Sequence, residues 1–141
     1  MLFATTCWVA GSLIMLTLGS IHLYYTFFSD KFRPVNEDVH ALMEKTPMRL
    51  TRKTTLWKAW VGFNASHSIG VLYIGAINIF LALRFPDLLR GSVFLYAFNI
   101  AVIGFYLWVA RKYWFKAPFT GVLITLVLYV TAAVVALVQW A

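Results

Sequence analysis

Two histidines, with a few amides and hydroxyls, are the side chains in the long apolar runs of this chain that could do chemistry. His22 lies in the first run. Asn64, Ser66, His67, Ser68 and Asn78 lie in the second, WKAWVGFNASHSIGVLYIGAIN at 57–78, and Asn99 and Tyr106 in the third. A neutral imidazole can exchange a proton near pH 7, so acid–base work by His67 on a bound lipid or quinone is open. Zinc needs three or four ligands, and neither two histidines nor the lone Cys7 supplies them, so no metal site is expected. No carboxylate falls inside a run, which removes a di-iron carboxylate site unless Glu37, Asp38 and Glu44 fold back. A bis-histidine haem is sterically conceivable, one axial ligand coming from each of two helices. Against it, the two histidines differ in depth by roughly 6 Å at the helical rise, and no haem-attachment motif is present. Ser66 and Ser68 lack the carboxylate that would orient a histidine for nucleophilic catalysis. No reaction is assigned, and a non-enzymatic role is the expectation.

These groups must be positioned by helices in lipid. The chain has 141 residues, 62% of them hydrophobic, where a soluble domain is nearer half. Its mean hydropathy is +0.78. The polarity and charge pattern predicts an all-α membrane protein, a four-transmembrane antiparallel helical bundle forming a single integral membrane domain over 1–141. The spans fall at about 2–28, 57–83, 92–109 and 118–140, each near the roughly 20 residues that cross a bilayer. Turned at about 100° per residue, the second span gathers Trp57, Trp60, Asn64, His67, Ser68, Gly75 and Asn78 on one arc. Gly62, Ser66 and Gly70 fall on the opposite side as a small-xxx-small seam, expected to admit a neighbouring backbone. Gly11, Met15, Gly19, His22 and Thr26 share a face of the first span. Ser92, Tyr96, Asn99 and Tyr106 share one on the third, and Thr125, Tyr129, Ala132, Ala136 and Gln139 one on the fourth.

Between the first two spans, Asn36 can cap a short amphipathic helix whose stripe is Val39, Leu42 and Met43, with His40 and Glu44 one turn apart. Thr46-Pro47 then reads as the start of another helix leading into the second span. Arg49, Arg52 and Lys53 suit lipid headgroups or, in a sharper reading, an anionic ligand. Ten of the twelve Lys and Arg residues border the first and third connections, and two, Arg84 and Arg90, the second. The positive-inside rule therefore predicts those two connections, with the amphipathic helix, in the cytoplasm and both termini outside. The net charge of +7 is a topology signal, and no soluble basic face is left for a nucleic acid.

The run LTRKTTLWKAWVGFNASHSIG at 50–70, together with GSIHLYYTFF at 19–28, resembles a family of small bacterial four-span membrane proteins of unassigned function. The GFN-x-SHS-x-G segment, Gly62 to Gly70, is its most specific part, and the resemblance covers spans one and two and their connection. It implies a bacterial inner-membrane location and a role for His22, Asn64 and His67, but no reaction. Polar pairs between membrane helices also serve as simple glue, worth about 0.6 kcal/mol each. With that alternative standing, the expected function is binding of a small apolar ligand or membrane lipid in the cytoplasmic half, through His22, Asn64, His67, Ser68, Asn99 and Tyr106. The other classes are an accessory subunit of a membrane complex, or a homo-oligomer, and a haem redox protein.

Overall fold

The structure, a computed structural model, describes residues 2–138. Four helices are long and apolar enough to cross a membrane: α1 (Leu2–Phe28), α3 (Leu56–Arg84), α5 (Val93–Tyr113) and α6 (Lys116–Val138). Two short helices, α2 (Glu37–Lys45) and α4 (Pro86–Arg90), sit in the connections. The protein is thus an all-α, multi-pass membrane protein. No strand occurs among the described residues, and Gln139 and Trp140, expected at the end of the fourth span, lie outside them.

The chain forms two compact units. One comprises residues up to Leu18 and those from Val71 onward, and the other is Gly19–Gly70. In the first unit, the part of α1 up to Leu18 and the part of α3 from Val71 pack with α5 and α6 as an antiparallel four-helix bundle. Its wedge is Trp8, 1% exposed, stacked on Tyr129 (centroids 3.9 Å apart) and meeting Tyr96 edge-on at 4.9 Å. Met15, Ile103, Val122, Ala132 and Ala136 complete the buried layer. The faces expected for these helices are the ones buried, because each carries the polar or small residues that lipid cannot satisfy. No described residue has a positive φ, so the glycines serve space rather than conformation. A Cβ on Gly75 would stand 2.7 Å from Ser12 O and 2.8 Å from Leu16 N, which is backbone against backbone.

That contact corrects the expected seam. Gly62 faces open space and Ser66 is exposed, its hydroxyl returning to Phe63 O of its own helix at 3.1 Å. Ile69 and Tyr73 are exposed on the same arc. A helix buries first the face whose polar groups need partners, and on α3 that face also carries Gly75.

In the second unit, Asn36 caps α2 as expected, its side chain accepting from Asp38 N at 2.8 Å. The helix expected from Pro47 does not form. Thr46 is extended (φ −82°, ψ 118°), the conformation forced on a residue before proline. Pro47 makes an isolated antiparallel bridge with Thr55, and Leu56 N donates to Thr46 O at 2.9 Å, closing a loop over 46–55. α3 starts only after Thr55, whose hydroxyl accepts from Lys58 N at 3.3 Å. Two other boundaries move. α5 continues through Arg111 and Lys112 to Tyr113, where two cations suit the carbonyl end of a helix. α6 begins at Lys116, so Pro118 sits within its first turn, where no amide donor is needed.

Gly75→Ala should lower thermal stability in detergent by ~1–3 kcal/mol through overpacking against the α1 backbone. Gly62→Ala should leave it unchanged. Equal melting temperatures for the two variants would refute the assigned crossing.

Candidate functional site

The Gly19–Gly70 unit carries the polar cluster. Asn64 and His67 stand one turn apart on α3, and His22 faces them from α1. Asn64 Nδ2 donates to Trp60 O at 2.8 Å, which turns Oδ1 toward His22. His22 Nε2 lies 2.9 Å from that oxygen and, facing an acceptor, must carry the proton and donate it. The His67 ring meets the His22 ring edge-on, centroids 5.3 Å apart at 66°. Ser68, fully buried, donates to Asn64 O at 2.8 Å, and Thr26 donates to His22 O at 2.8 Å. Both helices therefore keep their own hydroxyls and reserve the imidazole and amide for each other.

A short strap roofs this cluster. Arg33 N donates to Asp30 O at 3.0 Å and the two side chains pair at 3.0 Å, making a tight turn. The turn brings the Phe32 ring to 4.5 Å from His22, with Tyr25 edge-on behind it at 6.2 Å. Trp60 Nε1 donates to Phe32 O at 3.1 Å and ties the strap to α3. Sequence reasoning placed Trp60 on the right arc but missed Phe32. A loop residue has no periodicity to betray it, and the turn-forming Asp30 and Pro34 were its only signal.

In the first unit two of the asparagines pair with each other. Asn78 Nδ2 donates to Asn99 Oδ1 at 2.7 Å, and each amide also donates to its own helix, at Ile74 O and Leu95 O. Tyr106, half-buried, packs beside the core of the first unit, 6.4 Å from the Trp114 ring. In the same unit the Ser12 hydroxyl donates to Trp8 O at 2.7 Å. Its single proton is thereby used, so Tyr129 donates to Ser12 Oγ at 2.8 Å. Ser12 and Trp8 were not anticipated. Their signal was weak, since the face read on α1 ran through Gly11 and Met15.

No group of three or more His, Cys, Asp or Glu that could hold a metal stands together among the described residues. Nor does the imidazole pair suit an axial haem pair. Two axial histidines aim nitrogens at one iron from opposite sides of a macrocycle. Here the rings touch edge to face, and His22 Nε2 is spent on Asn64. What the arrangement offers is a hydrogen-bonding imidazole–amide pair beneath an aromatic roof. No family model matches the chain, and comparison with curated proteins and with solved structures finds no match.

Trp60→Phe keeps the ring but removes the N–H that holds the strap. Loss of one such bond, about 1 kcal/mol, should raise tryptic cleavage after the exposed Lys31 roughly fivefold in detergent micelles. An unchanged cleavage rate would mean that the strap is held by other contacts.

Proposed function

We propose that the protein binds an amphiphile, a lipid or another apolar molecule with a polar head, at His22, Asn64 and His67. The observation that carries this reading is the His22–Asn64 hydrogen bond with the His67 ring against it, half-buried and roofed by Phe32. An imidazole and an amide together offer donors and acceptors to a head group, while the apolar chain stays in hydrocarbon. Ser68 supports the site from beneath. Asn99 and Tyr106 belong to the first compact unit. The reading includes a bacterial inner membrane, with the 29–55 and 114–115 connections in the cytoplasm and both termini outside, on the basis of Lys and Arg distribution.

A second reading, an accessory subunit of a membrane complex or a homo-oligomer, has its own support. Phe94, Phe98, Phe105 and Trp108 are all exposed and recur at helical spacing along one side of α5. Elution of the purified protein alone or with a partner in mild detergent separates the two readings.

The test of the site is His67→Ala and His67→Asn, read by mass spectrometry of co-purifying lipids and quinones alongside thermal stability. An interhelical hydrogen bond in a membrane is worth ~0.6 kcal/mol, too little to unfold the bundle. Loss of a contact to a bound head group should instead lower ligand retention about tenfold or more. If both variants lose only stability and retain every co-purifying amphiphile, the residues are structural glue and the proposal fails.

Cysteine labelling checks the orientation separately. Positions 31–53 should react from the cytoplasmic side and position 87 from outside. Reaction of position 87 from the cytoplasm would invert the topology.

A further inference from the structure

The apolar stripe of α2 is wider than the protein covers. At about 100° per residue, Leu42, Val39, Met43 and His40 follow one another around the helix, with Glu44, Glu37, Lys45 and Asp38 on the rest. Only the Met43 and His40 side is sheltered. The His40 ring stands edge-on to Trp57 at 4.5 Å, and both residues are half-buried. Val39 remains 45% exposed and Leu42 65%. Val35, just before the cap, is fully exposed, and so nearly is Leu50, at 90%, at the far end of the 46–55 loop. Four aliphatic side chains of one connection are thus left exposed, while the charged side of α2 is turned elsewhere.

We propose that α2 and the 46–55 loop form a membrane-docking face that seats Val39, Leu42 and Leu50, with Val35 at its edge, in the headgroup region of an anionic leaflet. Depth supports this occupant. Trp57 lies in the first turn of a spanning helix, where the bilayer surface must fall, and α2 packs on Trp57 itself. The loop is tied at its base by the Pro47–Thr55 bridge and the Leu56–Thr46 bond, immediately before that same helix. Both elements are therefore held at interfacial height. Charge supports an anionic leaflet over a zwitterionic one. Lys31, Arg33, Lys45, Arg49, Arg52, Lys53 and Lys58 outnumber Asp30, Glu37, Asp38 and Glu44, and Arg49, Arg52 and Lys53 flank Leu50 directly. Of these cations Arg33 is spent on Asp30. An amphipathic helix binds a bilayer through buried apolar area plus attraction of its cations to anionic lipid. The inference does not depend on the ligand proposed for His22, Asn64 and His67.

The experiment uses the full chain on a Cys7→Ser background in nanodiscs, with single nitroxide labels at positions 38, 39, 42, 44 and 50. Collision rates with oxygen, which partitions into lipid, are compared with those of a water-soluble nickel chelate. Labels at 39, 42 and 50 should favour oxygen, and labels at 38 and 44 the nickel chelate, in discs containing phosphatidylglycerol. The Arg49→Gln/Arg52→Gln/Lys53→Gln variant, or discs of phosphatidylcholine alone, should shift 42 and 50 toward water. The pattern at 38 and 44 reports that α2 itself is intact. Water-exposed labels at 42 and 50 in anionic discs overturn the proposal. So does insertion that is indifferent to lipid charge. Protection that appears only with two copies per disc assigns the face to a second chain and equally overturns it.

Discussion

Lipid offers no hydrogen bonds, and the internal order of these helices follows from that deficit. Within the spans, many hydroxyls and amides turn back to a carbonyl four residues earlier. Thr17 donates to Leu13 O, Thr26 to His22 O, Ser68 to Asn64 O, Asn64 to Trp60 O, Asn78 to Ile74 O and Asn99 to Leu95 O. A hydroxyl or amide satisfied in this way still has spare capacity. Asn64 Oδ1 accepts from His22, Asn78 Nδ2 reaches Asn99, and Ser12 Oγ accepts from Tyr129. Cross-helix contacts are thus built from what is left over after each helix has looked after itself. They are individually weak, but they set rotation about each helix axis, because only one rotation points the spare atom at a neighbour.

Close packing in the first unit then fixes translation. Gly75 admits the α1 backbone at Ser12 and Leu16, and Gly11 lets the Tyr129 ring lie against α1, where an added Cβ would stand 2.9 Å from it. Tyr129 can therefore stack on Trp8 and reach Ser12 with its hydroxyl. The arrangement leaves Trp8 Nε1 and Asn78 Oδ1 buried without a hydrogen-bond partner. Each such atom costs about 1–3 kcal/mol in a protein interior. Trp8 offsets this through its ring, which touches aromatics from two other helices. For Asn78, the bond to Asn99 is short and charge-free, and it sits where lipid would give neither amide anything.

Much of this was legible in the sequence, since in a membrane the sorting of polar from apolar residues is the fold signal itself. The spans, and the buried arcs through His22, Asn64, Ser68, Asn78, Tyr96, Thr125 and Tyr129, follow from periodicity alone. What periodicity cannot do is rank two plausible faces of one helix. Gly62, Ser66 and Gly70 have the spacing of a packing seam, yet Gly62 and Ser66 are exposed together with the neighbouring Ile69 and Tyr73. Nor can it pair residues across helices. Asn78 reaches Asn99 because adjacent helices joined by a short connection bring 78 and 99 together. The 46–55 loop was misread for a local reason. Proline suits the first turn of a helix, but here the residue before it is held extended and the chain closes on itself at Thr55.

The two amide-centred pairs differ in a way that bears on what each is for. Asn78 is 1% exposed and joined to a second asparagine by a single amide-to-amide bond with no titratable member. That is what glue needs and no more. His22 and Asn64 are half-buried, near the end of one span and the start of another, and the partner is an imidazole with a second imidazole against it. The roof adds a further difference. Phe32 reaches over His22 from a connecting loop and is tied down by a tryptophan N–H on α3, an investment of three aromatic side chains, Tyr25 included, around one polar pair. Aromatic shielding of that kind raises the strength of every hydrogen bond made beneath it by excluding water.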